Sequence, residues 1–124
     1  MDFRLSEDQL LLAEGVRDYL AGTHGPEVLR RLDAGANRDP AIWQGLVEMG
    51  LTGLCVPEDQ GGLGMGLVEA ALIALECGRA ALAEPLVDTA FVGVPWLMGK
   101  GETAGLDAVA AGTRRIELPH AINP

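Results

Sequence analysis

Along most of the chain, apolar residues recur three and four positions apart rather than two, the spacing that lays them on one stripe of a helix. Ser6-Glu7-Asp8-Gln9 reads as a capping box, with Ser6 as N-cap and Gln9 at the third helical position. The two acids between them face the positive end of the helix dipole. Leu10, Leu11, Ala13, Val16, Tyr19 and Leu20 then keep helical spacing until Gly22, with Leu5 and Leu10 placed for a staple across the cap. Pro26 suits the first turn of a short second helix through Leu32, closed near Gly35. Asp39-Pro40 repeats the cap-then-proline signal. A third helix follows with an apolar face of Ile42, Trp43, Leu46, Val47 and Met49, and Gly50 stands just past its end.

Gly66 to Ala83 is apolar nearly all round, the pattern of a central helix covered on most sides. Its polar residues Glu69, Glu76 and Arg79 fall on one narrow stripe. Pro85 opens another apolar segment to Met98, which Pro95 is expected to kink or restart. A weaker helix from Thr103 to Ala111 ends at Gly112. The expectation is an all-α fold, an up-and-down bundle of five or six helices. The end of the chain breaks the pattern. Thr113 to Leu118 reads as a strand, and a lone strand has no partner for its backbone groups. The expected boundaries are therefore a helical domain over 1–112 and, over 113–124, the first strand of a β-domain missing from the chain.

Composition narrows the function classes. A net charge of −9, a pI near 4.5 and a single lysine, Lys100, argue against nucleic acid and against anionic membrane surfaces. With 48% apolar residues the chain should fold around a core. Leu67 to Ala83 is apolar enough to raise a membrane span, but it carries Glu69, Glu76 and Arg79. A central acid costs about 3 kcal/mol on insertion, so a buried helix is expected. Met1-Asp2-Phe3-Arg4 is no signal peptide. Cys55 and Cys77 are expected to be free buried thiols in a reducing cytoplasm.

The residues alone name no reaction. Ser6 is the only serine and serves as a cap. His24 and His120 are lone residues in glycine- or proline-bearing loops, expected to be solvent-exposed, and no metal site is indicated. The glycines from Gly61 to Gly66 miss the dinucleotide fingerprint, because position 67 is Leu67, and read as a tight loop feeding a helix. Glu76 on an apolar helix needs a partner if buried, and Arg79 stands three residues on.

Several short motifs occur in a telling order. Leu5-Ser6-x-x-Gln9 opens the first helix. Trp43-x-x-Leu46-x-x-Met49-Gly50-Leu51-x-Gly53-Leu54-x-Val56-Pro57-Glu58 is followed by Gly61-Gly62-x-Gly64, then by Glu69, Ala70, Glu76, Gly78, Arg79 and Ala83-x-Pro85. From Phe3 to Gly112 this order resembles the helical amino-terminal domain of acyl-CoA dehydrogenases. The resemblance implies a cytoplasmic, oligomeric oxidoreductase of lipid or acyl-CoA catabolism, forming homo- or hetero-oligomers, that oxidises the α and β carbons of an acyl-CoA thioester with FAD. It places the catalytic carboxylate and most flavin contacts outside this chain, which would be inactive alone. Ala110 to Ile116 resembles the junction into the family's β-domain, with Thr113 where the family often has an acid. The segment from Pro85 to Met98 is where such enzymes wall the acyl end of the substrate pocket. Glu84, Val87, Asp88 and Phe91 share helical spacing there and are the candidate wall, the alternative being core or interface. An acid-and-aromatic face implies a substrate other than a straight fatty chain. Related flavin chemistry (an acyl-CoA oxidase or a flavin monooxygenase) and a non-catalytic helical interaction module are the other readings.

Overall fold

The computed structural model describes residues 4–117. Among them are six α-helices and no strand, in agreement with the all-α expectation: α1 (Glu7–Thr23), α2 (Pro26–Asp33), α3 (Pro40–Glu48), α4 (Leu67–Arg79), α5 (Val94–Gly99) and α6 (Leu106–Ala110). A π-helical segment, Val87–Gly93, runs directly into α5.

The start signals act as the sequence implies. Ser6 accepts from the Gln9 backbone N–H at 3.1 Å, and Gln9 Oε1 accepts from the Ser6 N–H at 2.9 Å. Asp39 caps α3 through Ala41 N–H at 2.9 Å. Gly50 takes the left-handed conformation beyond α3, with φ 80°. Leu5 and Leu10, the expected staple, both stay exposed.

One core joins the elements. Val16 and Leu20 of α1, Leu46 of α3, Ile73 of α4, Leu86, Val94 of α5 and Leu106 of α6 are buried together. Each fully buried aliphatic side chain contributes about 2 kcal/mol by leaving water. The apolar run Leu51 to Val56 belongs to this core but is not a helix. Three of its carbonyls are satisfied by the following loop: Leu63 N–H donates to Gly53 O, Gly64 N–H to Val56 O and Met65 N–H to Leu54 O, at 2.8–2.9 Å.

The structure corrects two further expectations and bears out one. α4 is not covered on most sides, since Leu67, Val68 and Leu75 are exposed while Ala70, Ile73, Glu76 and Cys77 face inward. Pro95 stands in the first turn of α5, where the π-helical segment gives way to α-helix, in agreement with the expected restart. The π-helical segment precedes it, and its wider turns place the missing N–H where the hydrogen-bond ladder is already shifted. His24 is not an exposed loop histidine but is only 3% exposed. Its Nδ1 lies 3.2 Å from Ala80 O and its Nε2 accepts from Ala83 N–H at 3.3 Å, so the ring ties the end of α1 to the loop after α4. His120 lies outside the described residues.

The tail has its own arrangement. Residues 113–117 pair with no strand among the described residues, and Leu118 lies beyond them. Thr89, fully buried in the π-helical segment, replaces the missing neighbour. Its Oγ1 donates to Ile116 O at 2.7 Å and accepts from Ile116 N–H at 2.9 Å. One hydroxyl thus satisfies both backbone groups that a strand partner would have taken.

Candidate functional site

A cleft of about 520 Å³ opens where the end of α4, the 80–86 loop, the π-helical segment and the tail converge. Ala74, Cys77, Leu82, Pro85 and Val87 give it an apolar lining, while Arg38, Glu84, Asp88 and Glu117 supply charge. Volumes of this order are usual for small-molecule sites, as is an apolar wall with few polar groups.

Local sequence explains how these side chains arrive. α4 ends on Ala80, and Ala81 takes φ 49°, which a non-glycine residue adopts only at a cost. Ala81 N–H then donates to Gly78 O at 3.1 Å and Leu82 N–H to Cys77 O at 3.0 Å, closing the helix and turning the chain toward the cleft. The tail reaches the other side because Gly93 lacks a side chain. A Cβ there would lie 2.8 Å from Asp88 O and 3.1 Å from Ile116 Cγ2, so only glycine leaves room for the tail to seat.

Glu84 is the most constrained polar group of the site. Its side chain is only 4% exposed and lies between two guanidiniums: Arg38 Nη1 at 3.5 Å and Arg115 Nη1 at 3.7 Å from Oε2. Neither approach is a hydrogen bond, and Oε2 has no hydrogen-bond partner. Both arginines are committed elsewhere. Arg38 Nη1 donates to Ala83 O at 3.0 Å, and the Arg115 guanidinium lies 4.4 Å from the centre of the Trp43 ring. Trp43 is itself fixed by Nε1–H donating to Gly112 O at 3.0 Å. Glu84 also borders a second, smaller cavity of about 240 Å³ lined by His24, Arg31 and Asp39.

Of the four expected wall residues, the structure brings Glu84, Val87 and Asp88 to one cleft and leaves Phe91 apart in the core. The π-helical segment explains the split, because its wider turn carries a residue four positions on away from the face that α-helical spacing would give. Arg38, Arg115 and Glu117 escaped the sequence reading. They come from the 36–39 loop and the tail, far from the helix that carries the face, and no periodicity links them.

The thiols are buried and free. Burial pushes Cys77 up to about 11, helped by the Glu76 charge, and burial likewise raises Cys55. Among the described residues no three His, Cys, Asp or Glu side chains gather as metal ligands, and no helix is long and apolar enough to cross a membrane. The one glycine-rich loop is spent on packing: a side chain at Gly62 would run into Val56 O, and the next turn is used in backbone bonds to Gly53, Leu54 and Val56.

The fold defines a helical scaffold with an open, partly acidic cleft on its surface. Residues 6–102 match the sequence model described as "Acyl-CoA dehydrogenase, N-terminal domain", and the chain belongs to the acyl-CoA dehydrogenase family. It is 32% identical over 112 residues to acyl-CoA dehydrogenase IpdE2 of Mycolicibacterium smegmatis, covering 89% of this chain and 36% of that protein. In fold it is similar to a chain of the ChsE4-ChsE5 complex from Mycobacterium tuberculosis, with a TM-score of 0.79 and 24% identity over 93% of this chain and 33% of that one. A similar match is the electron transferring flavoprotein structure from Acidaminococcus fermentans, with a TM-score of 0.71 and 25% identity over 93% of this chain and 32% of that one. The chain thus spans about a third of the length of the proteins it matches.

Proposed function

We propose that this chain forms the amino-terminal part of an FAD-dependent acyl-CoA dehydrogenase, cytoplasmic and oligomeric, that oxidises the α and β carbons of an acyl-CoA thioester. Its share of the work is to wall the acyl end of the substrate site with Glu84, Val87 and Asp88. Residues 113–124 lead into a β-domain, and that domain and a later helical bundle hold FAD and the catalytic carboxylate. FAD, when bound, supplies the electron-accepting chemistry, and none of that chemistry is assigned to residues of this chain. The observation that carries the reading is the coincidence of the family match with an apolar cleft formed by the segment the family uses as a wall. Within that cleft Val87, Leu82 and Ala74 exclude water from an acyl chain, and Glu84 and Asp88 meet its far end.

The test has two halves. The isolated 124 residues are expected to purify without flavin absorbance. The complete protein is expected to carry FAD and to reduce an electron-accepting dye when given an acyl-CoA. A flavin-loaded complete protein that turns over no acyl-CoA thioester, or one that consumes oxygen with the thioester, would shift the reading to the related oxidase or monooxygenase chemistry. A complete protein without flavin would leave a non-catalytic helical module.

A further inference from the structure

We propose that the outward face of α4 is a contact surface for a second copy of this chain, through an antiparallel, two-fold-symmetric pairing of the two α4 helices.

The first observation is that α4 is apolar on two sides. At 100° per residue, Leu67, Gly78, Ala71, Leu75 and Val68 fall in that order within about 100° of arc. All five are exposed, Leu67 at 81% and Leu75 at 59%, while Ala70, Ile73, Glu76 and Cys77 take the opposite side into the core. The polar side chains of the helix do not screen this arc. Glu69 and Glu76 are turned to α1, where they meet Gln9 and Arg17, and Arg79 stands at the edge of the arc, bonded to Glu76. A surface helix ordinarily carries its charges on the side away from the core. Here that side is a contiguous apolar strip, the mark of a contact surface.

The second observation is the order of sizes along the strip, which selects the occupant. Bulky Leu67 and Leu75 alternate with small Ala71 and Gly78. Two such helices laid antiparallel about a two-fold axis near position 73 put Leu67 of each copy against Gly78 of the other, and Leu75 against Ala71. Every large side chain then meets a small one, and the helix axes can close to about 8 Å. A parallel pair would set Leu75 on Leu75 and leave a gap at Gly78. An isologous contact requires this self-complementarity. Charge agrees with size. The antiparallel pairing sets Arg79, the cation of the last turn, beside the first turn of the other copy, whose acid is Glu69. It also opposes the two helix dipoles. With 13 residues, α4 is about 20 Å long. The contact is therefore at the small end of specific interfaces and the dimer is weak, with a Kd on the order of tens of micromolar.

The test is sedimentation equilibrium of the full chain from about 10 µM to about 1 mM, expected to show a monomer–dimer equilibrium and nothing larger. Leu75→Glu is expected to weaken association at least about tenfold. Gly78→Leu is the sharper variant. No atom lies within 4 Å of where a Cβ at Gly78 would stand, and leucine is the better helix former, so the variant should melt no lower than the parent. In the dimer that leucine collides with Leu67, and association should again fall at least about tenfold. Trp96→Glu, at a comparably exposed position on α5, should leave association within about twofold. Under mild oxidation, Ala71→Cys mixed with Leu75→Cys should cross-link faster than either variant alone. A chain still monomeric at about 1 mM overturns the inference and leaves the strip to a later segment of the complete protein. Association that survives Gly78→Leu, equal loss in Trp96→Glu, or preferential cross-linking of Leu75→Cys to itself overturns it as well. The contact involves neither flavin nor acyl ligand, so these results are independent of whether the complete protein oxidises an acyl-CoA.

Discussion

Arg17 of α1 grips Glu76 of α4 with two parallel hydrogen bonds, Nε to Oε1 at 3.0 Å and Nη2 to Oε2 at 2.9 Å. Arg79, one turn along α4, adds Nη1 to Oε2 at 3.2 Å. The carboxylate is 5% exposed while both guanidiniums reach solvent, so two half-wet cations resolve one buried anion. The hydrogen bond and charge of Arg17, then Arg79, hold Glu76 below the usual carboxylate range despite burial. A depressed folded-state value means that the stabilisation is complete above the ordinary value near 4.5 and is lost as pH falls through the folded one. Glu76→Gln is expected to cost about 1–3 kcal/mol at neutral pH through lost charge-assisted bonds. It should also flatten the decline in stability below about pH 4.5. Chemical denaturation of both forms across pH 3–7 checks this. Parallel pH profiles would reject it.

Thr89 and Ile116 make the second prediction. Thr89→Val keeps shape and volume but leaves the Ile116 N–H and C=O without their partner. A loss of about 1–2 kcal/mol is expected, with hydrogen exchange at Ile116 accelerated far more than in α4. Uniform acceleration across the chain would mean that the hydroxyl merely fills space rather than holding the tail.

Where local chemistry decides the structure, the sequence was readable. The capping box at Ser6, the Asp39-Pro40 start and the left-handed Gly50 each follow from a few neighbouring residues, and each stands where expected. Glu76 needed a partner by the same logic, and Arg79 provides one, but Arg17 lies 59 residues away and no spacing rule reaches it. His24 failed for a related reason. Its loop looks polar and open, and only the fold shows that Ala80 O and Ala83 N–H wait on either side of the ring. The site was half legible. Glu84, Val87 and Asp88 share the cleft as their spacing implied, while the π-helical segment, which no residue pattern announced, turned Phe91 into the core.

Ala81 gives a third prediction, with the opposite sign. It occupies a left-handed position at the end of α4 that glycine would take without strain. Ala81→Gly is expected to stabilise the chain by about 0.5–1 kcal/mol, the relief of strain exceeding the added freedom of the unfolded chain. Strained backbone beside a cleft is a known mark of function. The same variant is expected to raise the melting temperature. A lower melting temperature would show that the alanine methyl group is doing packing work that outweighs the strain.

The thiols supply the last prediction, because Cys77 lies on the cleft wall and yet is 3% exposed. With its ionisation pushed up to about 11, roughly one thiol in a thousand is thiolate at pH 8. Cys55, raised by burial as well, sits in the turn-rich run between α3 and α4. A thiol-reactive disulfide reagent should therefore label neither at an appreciable rate in the folded chain and both at once in denaturant. Residual native labelling then reports opening of the structure. Glu76→Gln, which loosens the contact of α1 with α4, should speed reaction at Cys77 more than at Cys55. Rapid stoichiometric labelling of native Cys77 would show that the thiol is open to solvent in the folded chain.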